Sequence, residues 1–506
     1  MTINQGGTAK KKPLAPGRGV FCFCGGKMYR PTLEEVKKLT KSGNLVPVYR
    51  ELVADMETPV SAFLKIKKGG YSFLLESVEG GERLSRYSFI GTEPYMVMTT
   101  SSKNSVDPLP NIAHELNKYT LVPVEGLPRF IGGAVGYLSY EVVNRFEKLP
   151  SPISDPLNLP ESFFMFVNTM LVFDHVTHRI KVLSHAHLNG DIERAYQEAT
   201  DRIDDLVDRL NKPLESGHEG AAAHKRNKQN YSYNFTKQQF EESVAKIKEY
   251  ITAGEAIQVV VSQRLSKPTD VSPFEVYRAL RTINPSPYMF YLDYNDFHII
   301  GASPEILVRV EDGNVMTRPL AGTRPRGKTL SEDVQLENEL RSNEKERAEH
   351  IMLVDLGRND IGRVSEPGTV EVSELMAIER YSHVMHLVTH VQGKLRKGMT
   401  CFDALKACFP AGTVSGAPKI RAMEIIAEFE PERRGPYAGA AGYFSFSGNM
   451  DMAISIRTMV MKNRTAYIQA GGGIVYDSIP ENEYQESINK MKPLLGALDQ
   501  AESLNR

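Results

Sequence analysis

The stretch YIQAGGGIVYDSIPENEYQESINK, residues 467–490, runs from an apolar segment through Gly471, Gly472 and Gly473 to Glu483, Glu486 and Lys490. Its pattern predicts a strand, a glycine turn and a helix, setting bare backbone N–H groups beside two carboxylates and an ammonium. Residues three and four apart share a helix face, so Glu483, Glu486 and Lys490 fall in one row. Such a row suits a carboxylate ligand held through a divalent cation. Mg2+ takes oxygen ligands, usually one or two carboxylates together with an oxygen of the ligand itself. A second acidic pair is therefore expected, and NEKERAEHIMLVDLGRNDIGR (343–363) supplies Glu346 and Glu349 at helical spacing. One ExxE pair alone fits a solvated helix face; two, one beside a glycine triplet and one ahead of an apolar run, point to a site.

At 506 residues, 41% hydrophobic and 24% charged, the chain is long enough for two or three cores. A net charge of −1 leaves no electrostatic footprint for nucleic acid or a membrane surface, so small metabolites are the expected partners. Cys22, Cys24, Cys401 and Cys408 lack the paired spacing of a disulfide scaffold or a zinc site and read as reduced thiols. No apolar run approaches membrane-spanning length and no apolar segment follows the N-terminal lysines, so a cytoplasmic location is expected.

Residues 1–45 read as a leader, mostly flexible, with one short helix opening at Pro31-Thr32. Residues 46–210 read as an N-terminal, strand-rich domain: YSFLLES (71–77), RYSFIG (86–91), FIGGAVGYLSY (130–140), FFMFVNTMLVFD (163–174) and RIKVLSHAH (179–187), then a helix to about 210. Residues 211–232 are poor in bulky apolar side chains and read as a linker. Residues 233–506 form the expected second domain. There Phe240, Val244, Ile247 and Ile251 mark a helix, Ile257 to Ser262 a buried strand, and Ser272-Pro273-Phe274-Glu275 a capping box. AISIRTMVMK (453–462) and TAYIQAG (465–471) form a hairpin over Asn463-Arg464. The fold class is α+β, with large antiparallel sheets in a sandwich-like core flanked by helices.

PLAGTRPRG (319–327), ERAEHIMLVDLGRNDIGRV (346–364), RYSHVMHLV (380–388), FPAGTVSGAPKIRAMEIIAE (409–428), RGPYAGAAGYFS (434–445) and the 467–490 stretch resemble the chorismate-utilising enzymes, most nearly the anthranilate synthase large subunits. The resemblance runs from about Val46 to the end, apart from the linker. It implies attack of ammonia on the chorismate ring, loss of the ring hydroxyl, and elimination of pyruvate to leave anthranilate, with Mg2+ required. By that resemblance Glu349 and Glu486 hold the metal, with Glu346 and Glu483 completing or orienting its shell. Gly471, Gly472, Gly473 and Lys490 receive the ring carboxylate. Arg457, on a strand facing the glycine turn, and Tyr437 take the enolpyruvyl carboxylate, and Thr413 and Ala321 line the substrate. His386 donates the proton to the departing hydroxyl, with Glu305 and Thr323 around it. His383 and His390 keep a structural reading.

Two positions bear on the reaction. Gln258 stands where water-adding relatives carry a lysine base, and a neutral amide cannot deprotonate water. Ala321 stands where aminodeoxychorismate synthases commonly carry a lysine, and alanine forms no covalent adduct. An aminodeoxychorismate synthase component and a catalytically inactive tryptophan-binding relative remain the alternatives. None of the four cysteines has a glutaminase setting, so the resemblance implies ammonia delivered by a separate glutamine amidotransferase small subunit, in a heterotetramer. Glu76 and Ser77, with Asn284, Pro285, Tyr288, Met289 and Phe290, resemble the family's tryptophan feedback site.

Overall fold

The computed structural model describes residues 28–78, 86–101, 106–214, 231–381 and 384–504. The leader before residue 28, most of the expected linker, Cys22, Cys24 and His383 lie outside them. Thr32 caps the expected first helix, Leu33–Leu39, in a reciprocal pair with Glu35.

The described strands form two antiparallel sheets, and each draws on both halves of the chain. In the larger, of twelve strands, Leu45–Val53, Arg179–His187, Thr169–Asp174, Tyr87–Thr92 and Tyr71–Glu76 follow one another across the sheet. Tyr71–Glu76 then pairs with Tyr288–Tyr294, where Met289 opposes Glu76 and Phe290 opposes Leu75. The sheet continues through Phe297–Ser303, Thr458–Lys462, Thr465–Ile474 and Gln258–Pro268 to Gly416–Ala417. In the second sheet, of ten strands, Gly133–Leu138 from the first half pairs with Ala440–Ser445 from the second. The strands of 46–210 and of 233–506 are thus interleaved in one sandwich.

Between the sheets lies an aromatic-rich core in which Phe73, Phe89, Tyr137, Phe163, Phe290 and Tyr443 meet. Truncating one of these rings to alanine would cost about 3–5 kcal/mol. Outside the larger sheet pack Pro59–Ile66, Ile192–Leu210, Pro273–Ile283 and Pro480–Leu504; outside the other pack Pro108–Leu116, Glu344–Gly362 and Cys401–Cys408. Cys401 and Cys408 are buried free thiols. The architecture is the expected α+β sandwich.

Several local expectations are corrected. FFMFVNTMLVFD is two strands, Ser162–Val167 and Thr169–Asp174, which pass at Asn168 from one sheet to the other. AISIRTMVMK likewise divides into Met450–Ile454 and Thr458–Lys462, in different sheets. Ser272 precedes its helix without a side-chain cap bond, although Pro273 does open it. Asn463 and Arg464 turn the expected hairpin with φ of 49° and 56°, the backbone a tight two-residue connection needs.

Candidate active site

The glycine triplet is not a turn. Gly471, Gly472 and Gly473 lie inside the strand Thr465–Ile474, opposite Ser262, Val261 and Val260. The partner strand on the other side reaches only to Ile468, so beyond it this edge is open. Antiparallel strands alternate the direction of their backbone groups. Lys490 Nζ donates to the Gly471 carbonyl at 2.9 Å, so Gly471 and, by alternation, Gly473 turn their peptide groups to the open edge. Gly472 turns its own toward Val261, within the ladder, contrary to the expectation that its N–H would be free.

What Gly472 offers is room. A Cβ there would come 3.1 Å from Glu483 Oε2 and 3.6 Å from Glu486 Oε1. One at Gly473 would meet the Gln258 amide at 2.4 Å. The triplet is a floor without side chains beneath the row of Glu483, Glu486 and Lys490 on the helix Pro480–Leu504. Lys490 Nζ also pairs with Glu486 at 2.7 Å.

Glu346 and Glu349 stand on the helix Glu344–Gly362, whose N-cap Asn343 accepts from the Glu346 N–H. Gln258 Nε2 donates to Glu349 Oε1 at 3.2 Å. Burial raises the Glu349 carboxyl, and Glu346 and Glu486 push it further the same way. Glu483 is raised by burial and by Glu486. Glu346 itself turns to Arg324 at 3.0 Å. Among the described residues no three of these carboxylates close into a ligand set. Four mutually repelling carboxylates answered by Lys490 and Arg324 are nevertheless an all-oxygen donor set with charge to spare, and this chemistry fits a hard divalent cation.

Arg457 is not on a strand as expected. It occupies the kink between Met450–Ile454 and Thr458–Lys462 with φ of 50°, and Nη1 donates to the Lys490 carbonyl at 2.7 Å. Tyr437 is buried, and the Gly471 N–H and the Arg457 charge both act on its phenol oxygen. Arg457, Tyr437, Gly471 and Lys490 therefore converge at the open edge.

His386 lies on Val384–Lys394, opposite Thr323 on Leu320–Pro325. Its Nδ1 is 3.1 Å from the Gly322 carbonyl and 3.0 Å from Thr323 Oγ1. A carbonyl only accepts, so Nδ1 carries its hydrogen there and Nε2 is left for other partners. Burial lowers the imidazole's pKa, and the Arg457 and Arg318 charges lower it further. Arg457 and His386 thus share one electrostatic environment. Glu305 is buried, with Thr413 Oγ1 at 3.3 Å, and burial pushes its carboxyl up to about 8, against the hydrogen bonds from Thr413 and Leu320. Ala321 is buried one strand residue from Gly322 and pairs with Leu387. Sequence reasoning missed Arg318, which pairs with Glu379 and donates to Tyr381, whose ring stands edge-on to His386. An arginine in an otherwise apolar stretch before Pro319 was the available signal.

Residues 70–496 match the chorismate binding enzyme family. Anthranilate synthase component 1 of Acetivibrio thermocellus is 50% identical over 490 residues, 94% of this chain and 99% of that one. This chain belongs to the anthranilate synthase component 1 family of chorismate-binding enzymes. The component 1 protein of Aquifex aeolicus is 49% identical over 93% of this chain and 98% of its own length. Among solved structures, component I from Streptococcus pneumoniae TIGR4 aligns with a TM-score of 0.74 at 39% identity, over 88% of this chain and 98% of that one. The menaquinone-specific isochorismate synthase of Escherichia coli shares the fold at a TM-score of 0.68 and 20% identity.

This member of the component 1 family has a second cavity, between the sheets. Glu76, Ser77, Tyr288, Met289 and Phe290 line it; Asn284 and Pro285 do not. Asn284 instead ends the helix Pro273–Ile283. Glu76 is already engaged by Arg281, at 3.0 and 3.2 Å, and by the Tyr277 hydroxyl. Ser77 Oγ is buried without a partner among the described residues. The cavity's far wall is charged in a way the sequence did not announce: Asp451 is met by Arg309 at 2.8 Å, Arg129 at 3.3 Å and the Tyr288 hydroxyl at 3.1 Å.

Proposed function

We propose that this chain is the chorismate-converting large subunit of an anthranilate synthase, turning chorismate and ammonia into anthranilate, pyruvate and water. The observation that carries the reading is a component 1 match over 94% of the chain in which Gln258, set against Glu349 and Gly473, and Ala321, paired with Leu387 beside His386, hold the two positions that separate ammonia addition from the relatives' reactions.

The ring carboxylate sits over Gly472, with Lys490 and the Gly473 N–H in reach, and the enolpyruvyl carboxylate faces Arg457 and Tyr437. Glu349 and Glu486 would hold Mg2+, with Glu346 and Glu483 completing or orienting its shell, and the ion would supply positive charge to the ring carboxylate. In the free protein burial, and after it the Arg457 and Arg318 charges, disfavour the His386 imidazolium. A bound dicarboxylate answers the Arg457 charge, favours the imidazolium, and leaves Nε2–H to protonate the departing hydroxyl. Glu305, neutral near pH 7, is a further proton donor on that side with Thr413. Ammonia forms the C–N bond as the ring C–O bond breaks and the protonated hydroxyl leaves as water, the new ammonium returning one proton; the ring then loses a proton and the enolpyruvyl group, which takes up a proton to leave as pyruvate, and becomes aromatic. Gln258 neither competes as a base for water nor carries charge.

Ammonia comes from a glutamine amidotransferase small subunit in a heterotetramer. The cavity at Ser77 binds tryptophan as a feedback inhibitor, with Ser77 Oγ the polar group free to receive it and Glu76 reached through its Arg281 pair. The protein works in the cytoplasm; no described helix is long and apolar enough to cross a membrane. Chromatographic identification of the product formed from chorismate and ammonium tests the reading. Anthranilate is expected; aminodeoxychorismate or isochorismate would overturn the weight placed on Ala321 or Gln258.

A further inference from the structure

One buried cation takes no part in the chemistry above. Arg434 is 2% exposed, and its guanidinium makes bonds in four directions. Nε and Nη2 form a fork on Glu430, at 2.8 and 2.6 Å. Nη1 donates to the Val414 carbonyl at 2.6 Å, and Nη2 donates also to the Val260 carbonyl at 2.7 Å. Its Cζ lies between two rings, 5.7 Å from the Tyr437 ring centre and 4.6 Å from that of Tyr140. Each tether ends next to a residue of the site. Val414 follows Thr413, which reaches Glu305; Val260 lies on the strand of Gln258 and opposes Gly473. Glu430 in turn accepts from the Ser262 N–H and hydroxyl, both at 2.8 Å, opposite Gly471. The backbone is pinned as well: the N–H groups of Arg434 and Gly435 donate to the two oxygens of Glu141, at 2.7 and 3.1 Å, fixing the start of the turn that carries Tyr437.

A buried ion pair is no stability device by default, because desolvation offsets most of the attraction. What a planar five-donor fork supplies, and an apolar residue of equal volume does not, is fixed relative geometry. We infer that Arg434 is a positioning residue for chorismate: anchored on the Val414 carbonyl beside Thr413 and on the Gln258 strand, it holds Tyr437 in register with them and so sets substrate affinity through Tyr437, without touching substrate. This inference rests on the proposed role of Tyr437.

The test is a double-mutant cycle between Arg434→Lys and Tyr437→Phe, read as KM for chorismate and, independently of turnover, as the chorismate dissociation constant by calorimetry. Lysine keeps the charge and loses the fork. Arg434→Lys is expected to raise both constants by about tenfold or more in the native background, and by less than about threefold once Tyr437 is phenylalanine. Equal effects in both backgrounds overturn the inference. So does a variant that loses only thermal stability or active fraction while KM is unchanged, the signature of a merely structural residue. Should Arg434→Lys fail to fold, Glu430→Gln loosens the same fork; it is expected to raise KM several-fold in the native background only, and an unchanged KM overturns the inference. If the unmutated protein binds no chorismate, the functional reading fails instead, and the two failures are distinct.

Discussion

The glycine floor makes the sharpest prediction, through Gly472→Ala. The backbone at Gly472 is extended strand, which alanine adopts freely and with less entropy lost than glycine, a gain of about 0.5–1 kcal/mol. Against this stands the new Cβ, 3.1 Å from Glu483 Oε2, where the carboxylate must give way by a few tenths of an ångström. Glu483 is a side-chain end and can move, so the two effects offset and overall stability should change by no more than about 1 kcal/mol. Function should not be spared. The methyl group stands where the ring carboxylate is proposed to rest and displaces the carboxylates beside it, and misplacement on the ångström scale costs about a hundredfold in rate. A fall in kcat/KM of about 10–100-fold, or about 1.4–2.7 kcal/mol, is expected, with a raised Mg2+ requirement. Gly471→Ala is the contrast: its Cβ would sit 2.3 Å from the Val261 carbonyl, in paired backbone that cannot yield, so folding itself should suffer. Thermal melts with anthranilate formation at varied chorismate and Mg2+ separate the two. Gly472→Ala with unchanged kinetics in both ligands would refute the floor.

Three further outcomes follow from particular groups. Glu305 keeps its proton in the folded protein between about pH 4.5 and 8 while the unfolded chain has released it, so stability falls as pH rises through that interval and levels above about 8. Glu305→Gln removes the dependence, and its melting temperature should gain on the parent's from pH 5 to about 8 and keep a constant lead above that; parallel curves throughout would contradict the buried neutral carboxyl. Arg457→Met should raise the His386 pKa, followed by NMR of the imidazole, and an unchanged or lower value would break the link between the substrate arginine and the proton donor. Ser77→Phe fills the second cavity at its unpartnered hydroxyl; turnover should persist while tryptophan no longer inhibits, and normal inhibition would remove the regulatory assignment.

Much of the fold was legible because alternation and helical spacing are local. The strands at 71–76, 87–92 and 179–187 and the helix to Leu210 fall where the pattern puts them. What alternation cannot express is a change of partner. At Asn168 the pleat barely pauses, yet the chain passes between sheets, and at Arg457 one left-handed residue does the same inside an apolar run. That second break matters most, because it turns Arg457 toward Lys490. The glycine triplet misled in the other direction. Three glycines imply a turn to a local reading, whereas here they keep a strand edge clear beneath carboxylates 10 or more residues away in sequence. The strand Glu371–Arg380, with positive φ at Glu374 and Met376, carries no glycine, asparagine or aspartate that would have announced its bulge. Arg434 and the Asp451 cluster were equally silent, since a charged residue declares its burial only through partners distant in the chain.

The most direct test of the central claim is anthranilate fluorescence from the purified chain alone, given chorismate, an ammonium salt at alkaline pH and Mg2+, with and without a chelator. Fluorescence that rises with ammonium and disappears on chelation is the expected result, with glutamine inactive until an amidotransferase partner is added. Chorismate consumed without anthranilate, or anthranilate formed undiminished in excess chelator, would contradict the account of the glycine floor and its carboxylates.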